Sequence, residues 1–403
     1  MSNWTTPDDI RAEAERLWFR GHLLACVLNK IADGTIEPPI QFPCRRRLRG
    51  PRADELGSAY EAVRNWVQSL SAASRTETGT GFEIEWRNVK TRQLGHNRLP
   101  IAWILPSLDD ALALIGRNAE AERLAELAAV TIARLPGLAD WIARKPFALL
   151  DHGDDWERIL DVIDWFLAHP KSGVYIRQID VPGVDTKFIE ARKVLLSELM
   201  DCLLPSDAIK SGHPAGQSFE ARYGLQSKPA LIRFRVLDPS LTIAGLTDLT
   251  VPASEFARLE IDAQRIFIVE NEVTFLAFPD VPDSLGIFGS GYGVERLAAA
   301  RWLAHRTVIY WGDIDTHGFA ILDRLRAIFP QTKSLLMDQA TLLAHRSHWN
   351  FEAAPQSAEL SHLDSEERPL YDDLRYDRLG SGVRLEQERV PFGFAHATIL
   401  ACL

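Results

Sequence analysis

Cysteine is scarce in this chain, with four in 403 residues: Cys26, Cys44, Cys202 and Cys402, far apart and without a CxxC pair. That spacing suggests neither a zinc knuckle nor a disulfide framework, so structural roles are expected for them. No apolar run reaches the ~20 residues that span a bilayer. The opening MSNWTTPDDIRAEAERLW has no basic stretch leading into an apolar one, so a cytoplasmic protein without a membrane partner is expected. Internal repeats, low-complexity tracts and a Gly-Lys-Ser/Thr phosphate loop are also missing. Excess positive charge is absent too: the net charge of -10 argues against a protein that coats nucleic acid by charge alone. A local basic groove stays open, because binding depends on where charge sits as well as on its sum.

What is present is ordinary for a globular protein, 46% apolar and 25% charged residues. The length implies two or three domains. Residues 1–168 read as a helix-rich domain with a small sheet. Its first helix is signalled by the cap Thr6, by Pro7 at a first-turn position and by Asp8 and Asp9 against the dipole. ADELGSAYEAVRNWVQSLSAA carries apolar residues at helical spacing, GFEIEWRNVK alternates as a strand, and 107–168 is nearly all helix. Residues 169–255 give a strand through Tyr175, an amphipathic helix, a surface loop at 206–218 and a strand in PALIRFRVLDPSL. A compact module of winged-helix size fits that order. Two stretches are locally basic: CRRRLRGPR at 44–52, with Arg45, Arg46 and Arg47, and WRNVKTRQLGHNR at 86–98. Each reads either as a solvated loop or as a face for DNA.

Residues 256–403 are the informative part. RIFIV, LGIF, TVIYW and SLLM are short apolar runs separated by helical patterns such as VERLAAARWLAH and FAILDRLRAIF. That alternation specifies an α/β domain, a parallel sheet with crossover helices. Glu270, Gly289, the pair Gly312 and Asp313, and Asp338 follow the four runs in turn. Open parallel sheets bind ligands beyond the carboxyl ends of their strands, so these residues converge on one edge. Asp338 taken alone reads either as a helix cap or as a further acid of the site. Asp313 and Asp315, in WGDIDTHG, can hardly serve one cap. Carboxylates kept ionised together call for a cation. All-oxygen donors favour Mg2+ or Mn2+, and such an ion assists phosphodiester hydrolysis.

Glu at one strand end, a glycine turn after the next and Asp-x-Asp after the third resemble the Toprim domain. GDIDTHGFAIL is similar to the version in the A subunit of topoisomerase VI. GVDTKFIE, VENEVTFLAFP, IFGSGYG, YWGDIDTHGFAIL, SLLMDQATLLAHR, RLEQERV and the earlier QLGHNRLP together resemble the JetD family, the nuclease subunits of Wadjet plasmid-defence systems. The resemblance covers nearly the whole chain. It implies an N-terminal arm, a winged-helix module and a C-terminal Toprim domain, acting as a homodimer with an SMC-type ATPase, a kleisin and an accessory subunit to cut closed circular plasmid DNA. Carried over by position, Glu270 and Asp313 are metal ligands, Asp315 is a ligand or supporting acid, and Glu270 also handles a proton.

Topoisomerase VI breaks DNA with a tyrosine. Here Tyr175 and Tyr223 lack a recognisable family context, and Tyr175 reads as a buried strand residue, so metal-assisted hydrolysis is expected. His317 stands where the relatives have proline and is either a phosphate contact or an ordinary helix-start residue. Glu386 and Glu388 are either further ligands or an edge-strand alternation. Arg177 and Lys187 either face DNA or form surface salt bridges. Two other functions compete. A dinucleotide fold would use GSGYG, but its third glycine position is Val294 and it leaves Glu270 and Asp315 without a role. A noncatalytic DNA-binding subunit on a Toprim scaffold would have no need of clustered acids.

Overall fold

The computed structural model describes residues 4–31, 38–52, 54–91, 95–212, 218–289 and 291–401. Several features singled out above lie outside the described residues: 92–94 of the second basic stretch, 213–217 of the surface loop, Ser290 of the glycine turn, and Cys402. The chain forms two compact units, residues 1–227 and 228–403.

Unit 1 is built largely of helices around a three-stranded antiparallel sheet. Its first helix, Pro7–Phe19, starts as its sequence directs: Thr6 accepts from the Asp9 N–H while the Asp9 carboxylate accepts from the Thr6 N–H, a closed capping box. Strands β1 (Cys44–Arg47), β2 (Glu83–Thr91) and β3 (Gly95–Leu105) lie in the order β1-β3-β2. The arginine run is thus an edge strand rather than a loop, with Cys44 buried and Arg45 to Arg47 exposed. Period-3.6 patterning holds through 107–168, where the helix Trp156–Ala168 buries Trp156, Ile159, Leu160, Val162, Ile163 and Phe166. Cys26, Cys44 and Cys202 are free thiols.

Unit 2 holds one six-stranded mixed sheet. Its strands are β4 (Leu231–Val236), β5 (Asp248–Pro252), β6 (Arg265–Val269), β7 (Ser284–Phe288), β8 (Thr307–Trp311) and β9 (Lys333–Ser334), in the order β5-β4-β7-β6-β8-β9. The four strands β6 to β9 run parallel, and β4 is antiparallel to both its neighbours. β6 is buried at four of five positions, the near-continuous apolar run of a strand covered on both faces. The helix Thr316–Ile328 covers the sheet with Phe319, Ile321, Leu322 and Leu325.

The structure corrects four expectations. The segment 169–255 is not one compact module: residues 169–227 belong to unit 1, whereas β4 and β5 hydrogen-bond into the sheet of unit 2. The alternation of LIRFRV marks a strand but does not name its partner. The SLLM run contributes only Ser334 to a strand, in a two-residue pairing with β8. VERLAAARWLAH forms the 3-10 helices Gly291–Ala299 and Arg301–His305 rather than an α-helix. Finally, Tyr175 is 41% exposed; it precedes the 3-10 turn Ile176–Gln178 and makes only an isolated bridge to Gln226.

Candidate functional site

Parallel pairing of Val269 with Trp311 brings the carboxyl ends of β6 and β8 side by side. Glu270 leaves β6 at that point, its N–H bonded to the Trp311 carbonyl at 3.2 Å. The buried Tyr310 hydroxyl donates to Glu270 Oε2 at 3.0 Å, and the Asp313 N–H reaches the same oxygen at 3.5 Å. Burial first, and then the Asp313 charge, push the Glu270 carboxyl above its usual range. Tyr310 is itself driven well above 10 by burial and by Glu270, so it acts as a hydrogen-bond donor.

The next loop depends on two glycines. A side chain at Gly318 would meet the Asp313 carbonyl oxygen at 2.1 Å, and one at Gly312 would meet Tyr310 and Glu270. The loop is closed from the other side by residues near the C-terminus, because Ile314 and Leu385 exchange backbone hydrogen bonds at 2.9 and 3.1 Å. This bridge delivers two residues with no site role expected of them, Arg384 and Gln387. Gln387 ties the strand ends together: its N–H donates to Asp313 Oδ1 at 2.8 Å, its Nε2 to the Trp311 carbonyl at 2.8 Å, and its Oε1 accepts from the Asn271 N–H at 2.9 Å.

Arg384 lies against both aspartates. Its Nη2 donates to Asp313 Oδ2. Its Nε is 2.9 Å from Asp315 Oδ2 but makes no aligned hydrogen bond, so that contact is one of charge. Asp315 is 3% exposed and also caps the helix Thr316–Ile328, its Oδ1 accepting from the Gly318 N–H at 2.7 Å. Burial pushes its carboxyl up to about 7; the Gly318 N–H opposes this, the Glu352 and Asp313 charges add to it, and Arg384 opposes it. Glu352 is a further buried acid beside the loop, accepting from the Thr316 hydroxyl at 2.6 Å and the Thr316 N–H at 3.2 Å. A charged residue in the plain stretch WNFEAAP carries no pattern that marks such a position.

The other candidates fall elsewhere. Asp338 caps the helix Gln339–Ala344 through the Thr341 N–H at 2.7 Å. Glu386 pairs with Arg389 and, at 3.5 Å, with Arg384, while Glu388 accepts from the Asn271 side chain at 3.1 Å. Neither lies on an extended edge strand, since β11 is only Val383–Arg384, paired with β10 at Asn350–Phe351. His317 Nε2 is 2.8 Å from the Ala354 carbonyl, which directs it to the neighbouring loop. The turn after β7 opens a 3-10 helix, unlike the α-helix of a dinucleotide fold. In unit 1, Arg177 and Lys187 are exposed and make no ion pair among the described residues. Arg45 pairs with Glu85. Arg46 and Arg47, together with Arg16, Arg49 and the acids Asp9 and Glu13, line an open cavity of about 390 Å³. Tyr223 is buried with its hydroxyl donated to Asp201 at 2.7 Å, and burial pushes it up to about 12. Buried and held in that hydrogen bond, the hydroxyl is not presented to a substrate.

The donors fit a hard divalent cation in kind: three carboxylates, with Glu270 raised by burial and then by the charge of Asp313. As arranged, however, no group of three or more His, Cys, Asp or Glu residues among those described is placed to hold a metal ion. Arg384 stands against the aspartates instead.

The fold and site define an α/β protein with a carboxylate cluster at the carboxyl edge of a mostly parallel sheet. Residues 224–399 match the family model of the Wadjet protein JetD, C-terminal. Residues 7–201 match a model described as an uncharacterized protein conserved in bacteria, N-terminal. The chain belongs to the JetD family of the Wadjet system. No curated protein matches it. Among the described residues, no helix is long and apolar enough to cross a membrane.

Proposed function

We propose that this chain is a Toprim-type, Mg2+- or Mn2+-dependent DNA endonuclease, the subunit that cuts closed circular plasmid DNA within an SMC-type defence complex in the cytoplasm. The observation that carries the reading is the placement of Glu270 and Asp313 on adjacent parallel strand ends, with Asp315 two residues on, in a chain of the JetD family. Glu270, Asp313 and Asp315 are the residues that would hold the ion. When bound, it would stabilise charge on a phosphodiester and lower the pKa of a coordinated water. The protein's own part is positional. Gln387 fixes Asp313, the Gly318 N–H fixes Asp315, and Tyr310 orients Glu270, whose raised carboxyl is suited to take a proton from an attacking water.

Cleavage on this reading is hydrolysis, with water activated at the acids as the nucleophile; Tyr310 and Tyr223 are buried with their hydroxyls bonded to carboxylates, whereas Tyr175 is exposed, and Tyr175→Phe should leave cleavage intact. A homodimer would present one site to each strand of the duplex, working with the SMC ATPase, kleisin and accessory subunits. Arg177, Lys187 and the β1 arginines are the proposed duplex contacts, the first two as part of a winged-helix element in unit 1. The Arg384 contacts favour a second reading, a noncatalytic scaffold whose acids have found a permanent internal counter-ion. Incubating closed circular plasmid with the full chain and its partner subunits, ATP and Mg2+ or Mn2+ separates the two. Linear product that is lost in Glu270→Ala supports the nuclease; intact plasmid in the complete wild-type reaction supports the scaffold.

A further inference from the structure

Each aspartate of the pair has one oxygen committed to the backbone and the other to Arg384. Asp313 Oδ1 accepts from the Gln387 N–H at 2.8 Å, and Asp315 Oδ1 from the Gly318 N–H at 2.7 Å. Asp313 Oδ2 accepts from Arg384 Nη2, and Asp315 Oδ2 lies 2.9 Å from Arg384 Nε. The remaining nitrogen, Nη1, is 3.5 Å from Glu386 Oε1. One guanidinium therefore occupies the two aspartate oxygens that backbone bonds leave over. A divalent ion on those oxygens would lie within a few ångströms of a like charge in a poorly solvated place, where repulsion is strong.

From this geometry we infer that Arg384 is a resident counter-cation that competes with the metal, so that loading the site requires its guanidinium to leave the Asp313–Asp315 pair. The inference rests on the metal-site reading above. It accounts for two observations together. Three acids at one sheet edge do not form a metal cage as arranged, and Arg384 Nε is buried without an aligned hydrogen-bond partner. A guanidinium held by charge can be released when another cation neutralises the same carboxylates. Arg384 is itself the second residue of the two-residue strand β11, opposite Asn350, so its backbone is held by that pairing while the guanidinium can change partner. The freed guanidinium would then be available to a phosphate, for which its planar donors are suited.

The test is calorimetric titration of Mn2+ into the full-length wild-type chain and into Arg384→Gln and Arg384→Lys, with thermal melting of each in EDTA and in Mn2+. Removing the competing charge should tighten Mn2+ binding about tenfold or more in Arg384→Gln. That variant should also melt lower than wild type in EDTA and gain more from Mn2+. Arg384→Lys keeps a charge in the same place and should stay close to wild type in affinity, which guards against a glutamine variant that fails to fold. Equal or weaker Mn2+ binding by folded Arg384→Gln overturns the competition and leaves the metal site standing. No Mn2+ binding by wild type and both folded variants overturns the metal-site reading as well.

Discussion

Gly312 is the tightest position of the acid loop, and a single added methyl tests how closely Tyr310 and Glu270 are held. A Cβ there would lie 2.3 Å from Tyr310 Oη, 2.7 Å from its Cζ and 2.8 Å from Glu270 Oε2. The space is already filled by the 3.0 Å hydrogen bond between those two groups. Tyr310 is fully buried, so it cannot retreat without disturbing the core. Overpacking of this kind costs about 1–3 kcal/mol. Breaking a hydrogen bond to a charged group adds about 1.5–3 kcal/mol. Gly312→Ala should therefore lose about 3–5 kcal/mol of unfolding free energy. Urea unfolding of the full chain measures this, with hydrogen exchange in peptides spanning 265–330 assigning the loss to unit 2. Gly393→Ala is the control: no atom lies within 4 Å of its Cβ position, and alanine in a helix should be neutral or stabilise by up to about 1 kcal/mol. Tyr310→Phe removes the atom in closest conflict, so the double variant should be more stable than the sum of the two single losses. A Gly312→Ala protein as stable as wild type, or strict additivity in the double variant, would refute the reasoning.

The remaining predictions concern charge. Arg326 and Glu367 form a buried bidentate pair, with Nη2 to Oε1 at 2.8 Å and the Ser334 hydroxyl on the same Oε1 at 2.6 Å. Glu367→Ala leaves the buried guanidinium with the more distant Asp364, 3.6 Å away, as its opposite charge and should cost about 3 kcal/mol in urea unfolding, the low end for breaking a buried pair; a loss below about 1 kcal/mol, roughly that of an exposed pair, would contradict this. The folded Asp315 carboxyl keeps its proton up to about 7, against 3.8 for an ordinary aspartate. Between those values the folded state binds the extra proton, so in EDTA this group makes stability fall as pH rises through the window. Asp315→Asn keeps an oxygen for the helix cap and should flatten that slope; melting curves with an unchanged slope would count against the assignment. Reversing charge at Arg45, Arg46 and Arg47 should weaken duplex binding and lower its salt dependence by about one phosphate contact per arginine engaged, whereas an unaltered salt slope would remove β1 from the DNA face.

Much of unit 2 was legible because its signals are local. RIFIV, TVIYW and LGIF form strands where their apolar runs stand, and an acid directly after a strand must lie at that strand's end. Asp338 and Asp315 both cap helices, which a neighbouring helical pattern also foreshadows. The acids in RLEQE drew attention by their chemistry, yet their neighbours Arg384 and Gln387 are the ones that reach the loop. The Arg384 contact joins residues 71 positions apart, through a bridge of two backbone hydrogen bonds whose partners no periodicity identifies.

The sequence by itself determined the family, the strand-helix alternation and the three acids at the sheet edge, since periodicity, strand termini and motif order are properties of contiguous residues. Only the tertiary structure decided that LIRFRV joins the C-terminal sheet and that Tyr175 faces solvent. It alone placed Tyr310, Glu352, Gln387 and Arg384 around the acids, because which oxygens are hydrogen-bonded, buried or opposed by a guanidinium depends on groups brought together by long-range packing.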